Sequence, residues 1–165
     1  MMSLSTRTCF TIGFAVCAGL LGFALYLQYF ANLEPCPLCM LQRVAFIILG
    51  LVCLVGAIHG PAPTGNRIYA GLAAITAATG AGLAARHVWL QYNPPQFASC
   101  AGDLYSQLER LPLGRVIANA IRATGDCAKV DWTMLHLSIA EWSLIWFALF
   151  TVGTAFLLFR RKGSA

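Results

Sequence analysis

Residues 36–60 read CPLCMLQRVAFIILGLVCLVGAIHG, a segment that joins a Cys-x-x-Cys pair and an arginine to an uninterrupted apolar run. No charged residue occurs from Val44 to Asn66. About 20 mostly apolar residues cross a hydrocarbon core of roughly 30 Å. Pro61 and Pro63 shorten this run, so the segment predicts a transmembrane helix over about 38–58, with the two cysteines and Arg43 at one end.

Three further charge-free runs accompany this segment, at residues 8–33, 68–85 and 142–159. The whole chain is 59% hydrophobic and only 10% charged, whereas soluble domains carry about 25% charged residues. The first run exceeds the roughly 7–15 apolar residues of a signal peptide, so we interpret it as a retained span. We predict an all-α membrane protein, a four-transmembrane-helix bundle forming one domain over 1–165, with spans at about 9–30, 38–58, 68–88 and 139–159.

The basic residues predict the orientation of this bundle. One side carries five basic residues and no acidic ones, namely Arg7, Arg67, Arg160, Arg161 and Lys162. By the positive-inside rule that side is cytoplasmic, so both termini are cytoplasmic. The outer side then holds a short loop over about 31–37 and a long second loop over about 89–138. The net charge of +5 therefore reports topology and gives no support for nucleic acid binding.

The seven cysteines divide according to this topology. Cys9, Cys17 and Cys53 fall in or at the edge of spans, where we interpret them as small buried hydrophobic residues. The other four lie in the outer loops, at Cys36, Cys39, Cys100 and Cys127. In an oxidising compartment four cysteines can form two disulfides, and three pairings are open.

Cys36-Pro-Leu-Cys39 has the spacing of a redox pair, whose thiolate is often stabilised at a helix N-terminus. Pro37 suits the first helical position, which places Cys36 at the N-cap, where the helix dipole favours a thiolate. Arg43 follows Cys39 by four residues and shares its helical face. Its guanidinium can stabilise a Cys39 thiolate or an anionic acceptor beside it. The alternatives are a static disulfide beneath an arginine that reaches the membrane surface, or a zinc site completed by Cys100 and Cys127.

A zinc site fits the cysteine spacing poorly, because the second pair lacks a Cys-x-x-Cys arrangement. We therefore predict no metal site.

Cys100 and Cys127 bracket 26 residues. A disulfide between them would be either a structural link worth about 3 kcal/mol or an exchange pair with an accessible sulfur. His87, at the outer end of the third span, is either an interfacial hydrogen-bonding residue or a group that faces Arg43 and binds a polar headgroup.

Several short motifs, taken in order, carry a resemblance to a known family. They are Glu34-Pro-Cys-Pro-Leu-Cys39 with Gln42-Arg43, His87-x-x-Leu-Gln91, Tyr92-x-Pro-x-x-Phe-Ala-Ser-Cys100, Gly125-Asp-Cys-Ala128 and Trp132. With four spans, this pattern resembles the disulfide-bond formation protein B family (DsbB), the quinone-linked membrane oxidases of bacterial periplasms. The resemblance covers nearly the whole chain.

The resemblance implies a thiol:quinone oxidoreductase of the bacterial inner membrane, with its active-site loops in the periplasm. A periplasmic thioredoxin-fold partner (DsbA-like) would attack a Cys100–Cys127 disulfide at Cys100, and Cys127 would then attack Cys36 of a Cys36–Cys39 disulfide. The released Cys39 thiolate would donate into a bound quinone, either ubiquinone or menaquinone. Arg43, and with it His87, would polarise the quinone headgroup.

Three other classes stay open at this point. The vitamin K epoxide reductase-like family also couples a Cys-x-x-Cys to a quinone, although its motif usually lies late in the sequence. A cysteine-based metal transporter would bind metal at the outer cysteines. A structural membrane protein would use two disulfides only to hold its outer loops.

Overall fold

The computed structural model of the protein describes residues 6–59, 63–94, 112, 114–115, 118, 127 and 132–159. Its long elements are the helices α1 (Thr6–Phe30), α2 (Pro37–His59), α3 (Pro63–Tyr92) and α4 (Ile139–Phe159). All four are long and apolar enough to cross a membrane. The predicted four-helix membrane bundle is thereby confirmed. Most of the long second loop, including Cys100, lies outside the described residues.

Small residues set how closely the helices of the bundle approach one another. α1 packs on α2, α2 on α3, and α3 on α4. The buried face of α3 carries Ala70, Ala73, Ala77, Gly80 and Ala84. The Phe147 ring of α4 lies so close to Gly80 that a Cβ there would overlap it. Phe147 also stacks on Phe46 of α2, with ring centroids 4.0 Å apart. The small residues of the third span therefore allow close helix packing in lipid, as predicted.

The outer surface of the helices is apolar, as a lipid-facing surface must be. Large side chains that point away from the bundle include Ile58, Ile75, Val152 and Phe156, all at least 65% exposed. In water such a continuous apolar surface would cause aggregation. In a bilayer it is the surface that the hydrocarbon solvates.

A capping box starts α4 and ties it to α3. The backbone N–H of Glu141 donates to Ser138 Oγ at 3.3 Å, and the Ser138 backbone N–H donates to Glu141 Oε2 at 2.7 Å. Ser138 Oγ also donates to Gln91 Oε1 at 2.8 Å, and Tyr92 Oη donates to Glu141 Oε1 at 2.8 Å. These bonds hold the outer ends of α3 and α4 together.

A small antiparallel hairpin precedes α4, and it was not predicted from the sequence. Its strands are β1 (Thr133–Met134) and β2 (Leu137–Ser138). The two turn residues, Leu135 and His136, both have positive φ, at 55° and 65°. Trp142 Nε1 donates to the Met134 carbonyl at 3.1 Å, which holds the hairpin against α4.

Candidate active site

Cys36 and Cys39 lie at the N-terminal end of α2. The helix begins at Pro37, so Cys36 occupies the N-cap position as predicted. The Cys39 backbone N–H donates to Cys36 Sγ at 3.3 Å, so the sulfur stands where a Ser or Asp oxygen usually caps a helix. The two Sγ atoms are 3.2 Å apart, against about 2.05 Å in a disulfide. Small side-chain rotations therefore suffice to join or separate these sulfurs.

His87 packs against this cysteine pair from α3. Its Nε2 lies 3.7 Å from Cys36 Sγ, and its Nδ1 lies 4.0 Å from Cys39 Sγ. The side chain is only 3% exposed, so the bundle encloses it. Its position continues the buried face of α3, three residues beyond Ala84. The small residues that recur every three or four positions along α3 mark this buried face in the sequence, and extending the pattern to residue 87 predicts that His87 is buried.

Gln42 holds the imidazole of His87 in place, a role that the sequence analysis did not assign. Gln42 Nε2 lies 3.2 Å from His87 Nδ1, and Gln42 is 2% exposed. The Gln42 amide can donate to an unprotonated Nδ1 or, turned over, accept from a protonated Nδ1. Gln42 therefore fixes the orientation of the imidazole ring beside the two cysteines.

Cys127 reaches the same point from the long second loop. Its Sγ, Cys36 Sγ and a ring nitrogen of His87 all lie within 4.8 Å of one another. Cys127 is fully buried and packs with Leu38 and Leu90. Its contact with Cys36, and then its burial, raise the pKa of the Cys127 thiol above its ordinary value. The structure therefore brings Cys36, Cys39, His87 and Cys127 into one cluster. The place of Cys100, and its pairing with Cys127, lie outside the described residues.

Arg43 faces α1 from the next turn of α2. Its Nη1 donates to Gln28 Oε1, and its Nη2 donates to the Ala24 carbonyl at 3.1 Å. The guanidinium is thereby fixed against α1. A guanidinium has five N–H donors, so donors remain for a further acceptor. Gln28 is a second residue of the site to which the sequence analysis gave no role. Its contact with Arg43 joins α1 to α2, and local sequence patterns do not predict contacts between helices.

A cavity of about 370 Å³ adjoins Cys36, Cys39, His87 and Arg43. Its walls come mainly from α1, α2 and α4, and they are mostly apolar, with Phe23, Phe46, Trp132, Trp142 and Trp146 among them. Polar atoms in the wall come from Cys36, Cys39, Gln42, Arg43, His87 and Gln91. Ligand sites are typically about 300–1,000 Å³ and mostly apolar with a few polar groups. The cavity therefore suits an apolar molecule with a polar head placed beside Cys39 and Arg43.

A cysteine pair at the wall of an apolar cavity, inside a transmembrane bundle, defines a membrane thiol–disulfide oxidoreductase. Comparison with known proteins agrees with this class. The family model described as Disulfide bond formation protein DsbB matches residues 6–157. The chain belongs to this family, and the predicted resemblance is confirmed.

Named relatives match over nearly their whole length. A protein named Disulfide bond formation protein B from Aromatoleum aromaticum is 46% identical over 98% of each chain. Its namesake from Hahella chejuensis is 47% identical over 96% of each chain. A third, from Methylococcus capsulatus, is 48% identical over 87% of this chain and 88% of its own. The protein is therefore a multi-pass membrane oxidoreductase of disulfide bond formation.

Proposed function

We propose that this protein reoxidises a DsbA-like periplasmic dithiol protein with a thioredoxin fold and passes the two electrons to a membrane quinone. The observation that carries the proposal is the cavity between the helices, whose wall contains both Cys39 and the Arg43 guanidinium. It supplies an apolar chamber and a fixed positive charge at the point where electrons would leave the cysteine pair.

The chemistry of the cavity wall suits a quinone. Aromatic side chains offer faces for a flat ring, and the lining residues from α1 and α4 offer an apolar route for an isoprenoid tail. The unused N–H groups of Arg43 can donate to a ring carbonyl, with His87 a second polar group in the same wall. A bound quinone, ubiquinone or menaquinone, supplies an acceptor for two electrons and two protons. The residues proposed to hold it are Arg43, His87 and Cys39.

The proposed electron path starts in the long outer loop. The partner's thiolate attacks Cys100, breaking a Cys100–Cys127 disulfide and forming a mixed disulfide. The partner's second thiol then resolves this bond, leaving the partner oxidised and both loop cysteines reduced. Exchange of this kind proceeds by in-line attack of a thiolate on a disulfide sulfur.

The next exchange transfers the electrons to α2. Cys127 attacks Cys36, forming a Cys36–Cys127 bond and releasing Cys39 as a thiolate beside Arg43. The position of Cys127 Sγ within 4.8 Å of Cys36 Sγ supports this step. Attack by Cys100 on Cys127 restores the loop disulfide and leaves Cys36 and Cys39 as a dithiol. That dithiol loses two electrons and two protons as its own disulfide closes.

The same proposal fixes the location of the protein. It places the chain in the bacterial inner membrane, with the cysteine cluster at the periplasmic face and both termini in the cytoplasm. The five basic residues on the opposite side support this orientation.

The test is quinone reduction, followed by absorbance, with purified protein in detergent and a reduced DsbA-like protein as the electron donor. Wild type should turn over, whereas Cys39→Ser and Cys100→Ser should not. Arg43→Ala should raise the apparent quinone KM by about 10-fold or more, since a charge-assisted hydrogen bond contributes roughly 1.5–3 kcal/mol.

Two matched variants serve as controls. Cys53→Ser removes a buried cysteine of the helix core, and Arg67→Ala removes an arginine from the other end of the bundle. Both should keep wild-type turnover. Absence of quinone reduction by wild type, with several donors and quinones, would overturn the proposal and favour a structural role for the cysteines.

A further inference from the structure

Three groups at the outer end of the bundle form a set of metal ligands that the sequence analysis did not predict. Cys36 Sγ, Cys127 Sγ and one ring nitrogen of His87 all lie within 4.8 Å of one another. His87 is 3% exposed and Cys127 is fully buried. Two thiolates and an imidazole are ligands that Zn²⁺ prefers.

We propose that the reduced protein binds one Zn²⁺ ion through Cys36, His87 and Cys127. Closure of the Cys36–Cys39 disulfide, whose two electrons pass to a quinone or to a disulfide oxidant, then releases the ion.

The distances between these groups suit a tetrahedral ion. Zn–S bonds of about 2.3 Å and Zn–N bonds of about 2.0–2.1 Å place neighbouring ligand atoms roughly 3.5–3.8 Å apart. Cys36 Sγ and His87 Nε2 are already 3.7 Å apart. The two distances from Cys127 Sγ to the other ligand atoms are at most 4.8 Å. A movement of about 1 Å by the Cys127 sulfur would therefore complete the site. Three protein ligands leave the fourth position open for water or for Cys39.

The charge balance favours an ion in this buried position. Binding converts two thiols into thiolates and releases their two protons, while no electron is transferred. The resulting complex of Zn²⁺, two thiolates and a neutral imidazole carries no net charge. A neutral complex avoids most of the cost of placing a charge away from water.

Gln42 completes the site from outside the ligand set. A zinc-bound imidazole usually donates its other ring N–H to a hydrogen-bond acceptor, which fixes its tautomer. Gln42 already contacts His87 Nδ1 at 3.2 Å. Rotation of its amide by half a turn presents the carbonyl oxygen in place of the NH₂ group. The same residue can therefore support the metal-free and the zinc-bound tautomer.

The oxidation state of the cysteines controls this site. A disulfide sulfur is not a zinc ligand, because metals bind the thiolate. Any disulfide that includes Cys36 or Cys127 therefore abolishes binding. Zinc would in turn hold both sulfurs out of exchange, so the ion would retain the protein in its reduced form.

The test measures zinc binding by purified full-length protein in detergent, with neither quinone nor partner present. Failure of the oxidase proposal would therefore leave this result unaffected. Zn²⁺ is titrated against a chromogenic chelator, with protein reduced by a phosphine or oxidised beforehand. The reduced protein should bind one equivalent, and the oxidised protein none.

Variants identify the ligands. His87→Ala and Cys127→Ser should each weaken Zn²⁺ binding by about 100-fold or more. Substituting a residue that only supports a ligand typically lowers metal affinity by about 10–100-fold. Cys53→Ser and His59→Ala remove a cysteine and a histidine distant from the site, and both should retain full binding. Absence of binding by reduced wild type, or full binding by His87→Ala and Cys127→Ser, would overturn the proposal.

Co²⁺ provides a measurement that needs no variant. In reduced wild type it should give the intense visible bands of a tetrahedral ion and the near-ultraviolet charge-transfer bands of thiolate ligation. Both should disappear when the cysteines are oxidised. A weak octahedral spectrum in the reduced protein would contradict the proposed ligand set.

Discussion

The contact between Gln42 and His87 joins two buried polar side chains, one from α2 and one from α3. Within the described residues, no buried side-chain nitrogen or oxygen lacks a hydrogen-bond partner. Loss of the Gln42 amide would remove the shorter contact of the imidazole Nδ1 and leave it only the weak contact with Cys39 Sγ at 4.0 Å. An unsatisfied buried group of this kind costs about 1–3 kcal/mol.

Gln42→Leu should therefore lower the free energy of unfolding by about 1–3 kcal/mol and should also slow quinone reduction at saturating quinone. The second effect follows because the ring that faces Cys36 and Cys39 would lose its fixed orientation. Thermal unfolding in detergent and the turnover assay measure the two effects separately.

Tyr69→Phe is the control for this variant. It also removes a hydrogen bond to a histidine, the 3.0 Å contact between Tyr69 Oη and His59 Nδ1, at the other end of the bundle. A modest loss of stability with unchanged turnover is expected. Equal loss of turnover in both variants would mean that Gln42 acts only through stability.

At the residue scale, the sequence predicted contacts within one helix and missed contacts between helices. The cysteine pair and Arg43 all lie in the eight-residue segment 36–43 at the start of α2. Helical spacing alone therefore places them at one end of the helix. The contact of Gln42 with His87 spans 45 positions of the chain. It depends on how α2 and α3 rotate against each other, which no local pattern determines.

At the scale of elements, the packing of α4 on α3 depends on the absence of a side chain at Gly80. The Phe147 ring occupies the space that a Cβ would need. Gly80→Ala should therefore destabilise the protein by about 1–3 kcal/mol, the usual cost of overpacking a core. Thermal unfolding in detergent measures this change.

Gly82→Ala is the matched control, two residues further along the same helix. No atom lies within 4 Å of a Cβ built at Gly82. Both variants gain about 1 kcal/mol of helix propensity, so the difference between them isolates the contact with Phe147. Equal stability of the two variants would show that α4 shifts to accommodate the methyl group.

The hairpin before α4 stores strain in its two turn residues. Leu135 and His136 both adopt left-handed backbone conformations, which Asn and Gly adopt far more readily. Replacing them by Asn and Gly should stabilise the protein by roughly 1 kcal/mol or more, because left-handed residues other than glycine cost about 1–2 kcal/mol each. Leu135 is 77% exposed, so its replacement removes little packing.

Leu135→Val tests the same idea in the opposite direction. It keeps an apolar side chain but adds a branch at Cβ, which suits positive φ poorly. Its unfolding temperature should fall, whereas that of the Asn-Gly variant should rise. A change of the unfolding temperature in the same direction in both variants would exclude backbone strain as the cause of the stability change.

The same turn explains why the hairpin was not predicted. Hairpins are recognised from Asn-Gly or Asp-Gly pairs between alternating residues, and Leu-His carries no such pattern. The helices were predicted from apolar runs of spanning length. The helices also extend beyond the predicted spans: α3 runs over Pro63–Tyr92, whereas the span predicted within it covers about 68–88. The polar residues Arg86, His87 and Gln91 marked a boundary in the sequence, although the helix and its buried face continue through them.

For the whole molecule, the distribution of charge predicts which end of the bundle faces the periplasm. The cysteine cluster, the cavity and the hairpin share one end of the bundle. Arg7 and Arg67, two of the basic residues assigned to the cytoplasm, lie at the other end. The proposed chemistry requires the cluster to face the oxidising compartment, since cytoplasmic thiols are kept reduced. Orientation is therefore a condition of the oxidase function as well as a topological property.

Labelling of single introduced cysteines tests this orientation. In a variant whose seven native cysteines are replaced by serine, Leu135→Cys reports the hairpin end and His59→Cys the opposite end. Both positions are exposed. A membrane-impermeant maleimide should label Leu135→Cys in intact spheroplasts, and His59→Cys only after the membrane is disrupted. Labelling of both after disruption is the control for reactivity. The reverse pattern in intact spheroplasts would place the cysteine cluster in the cytoplasm, where no periplasmic dithiol protein could reach it, and the proposed electron path would fail with it.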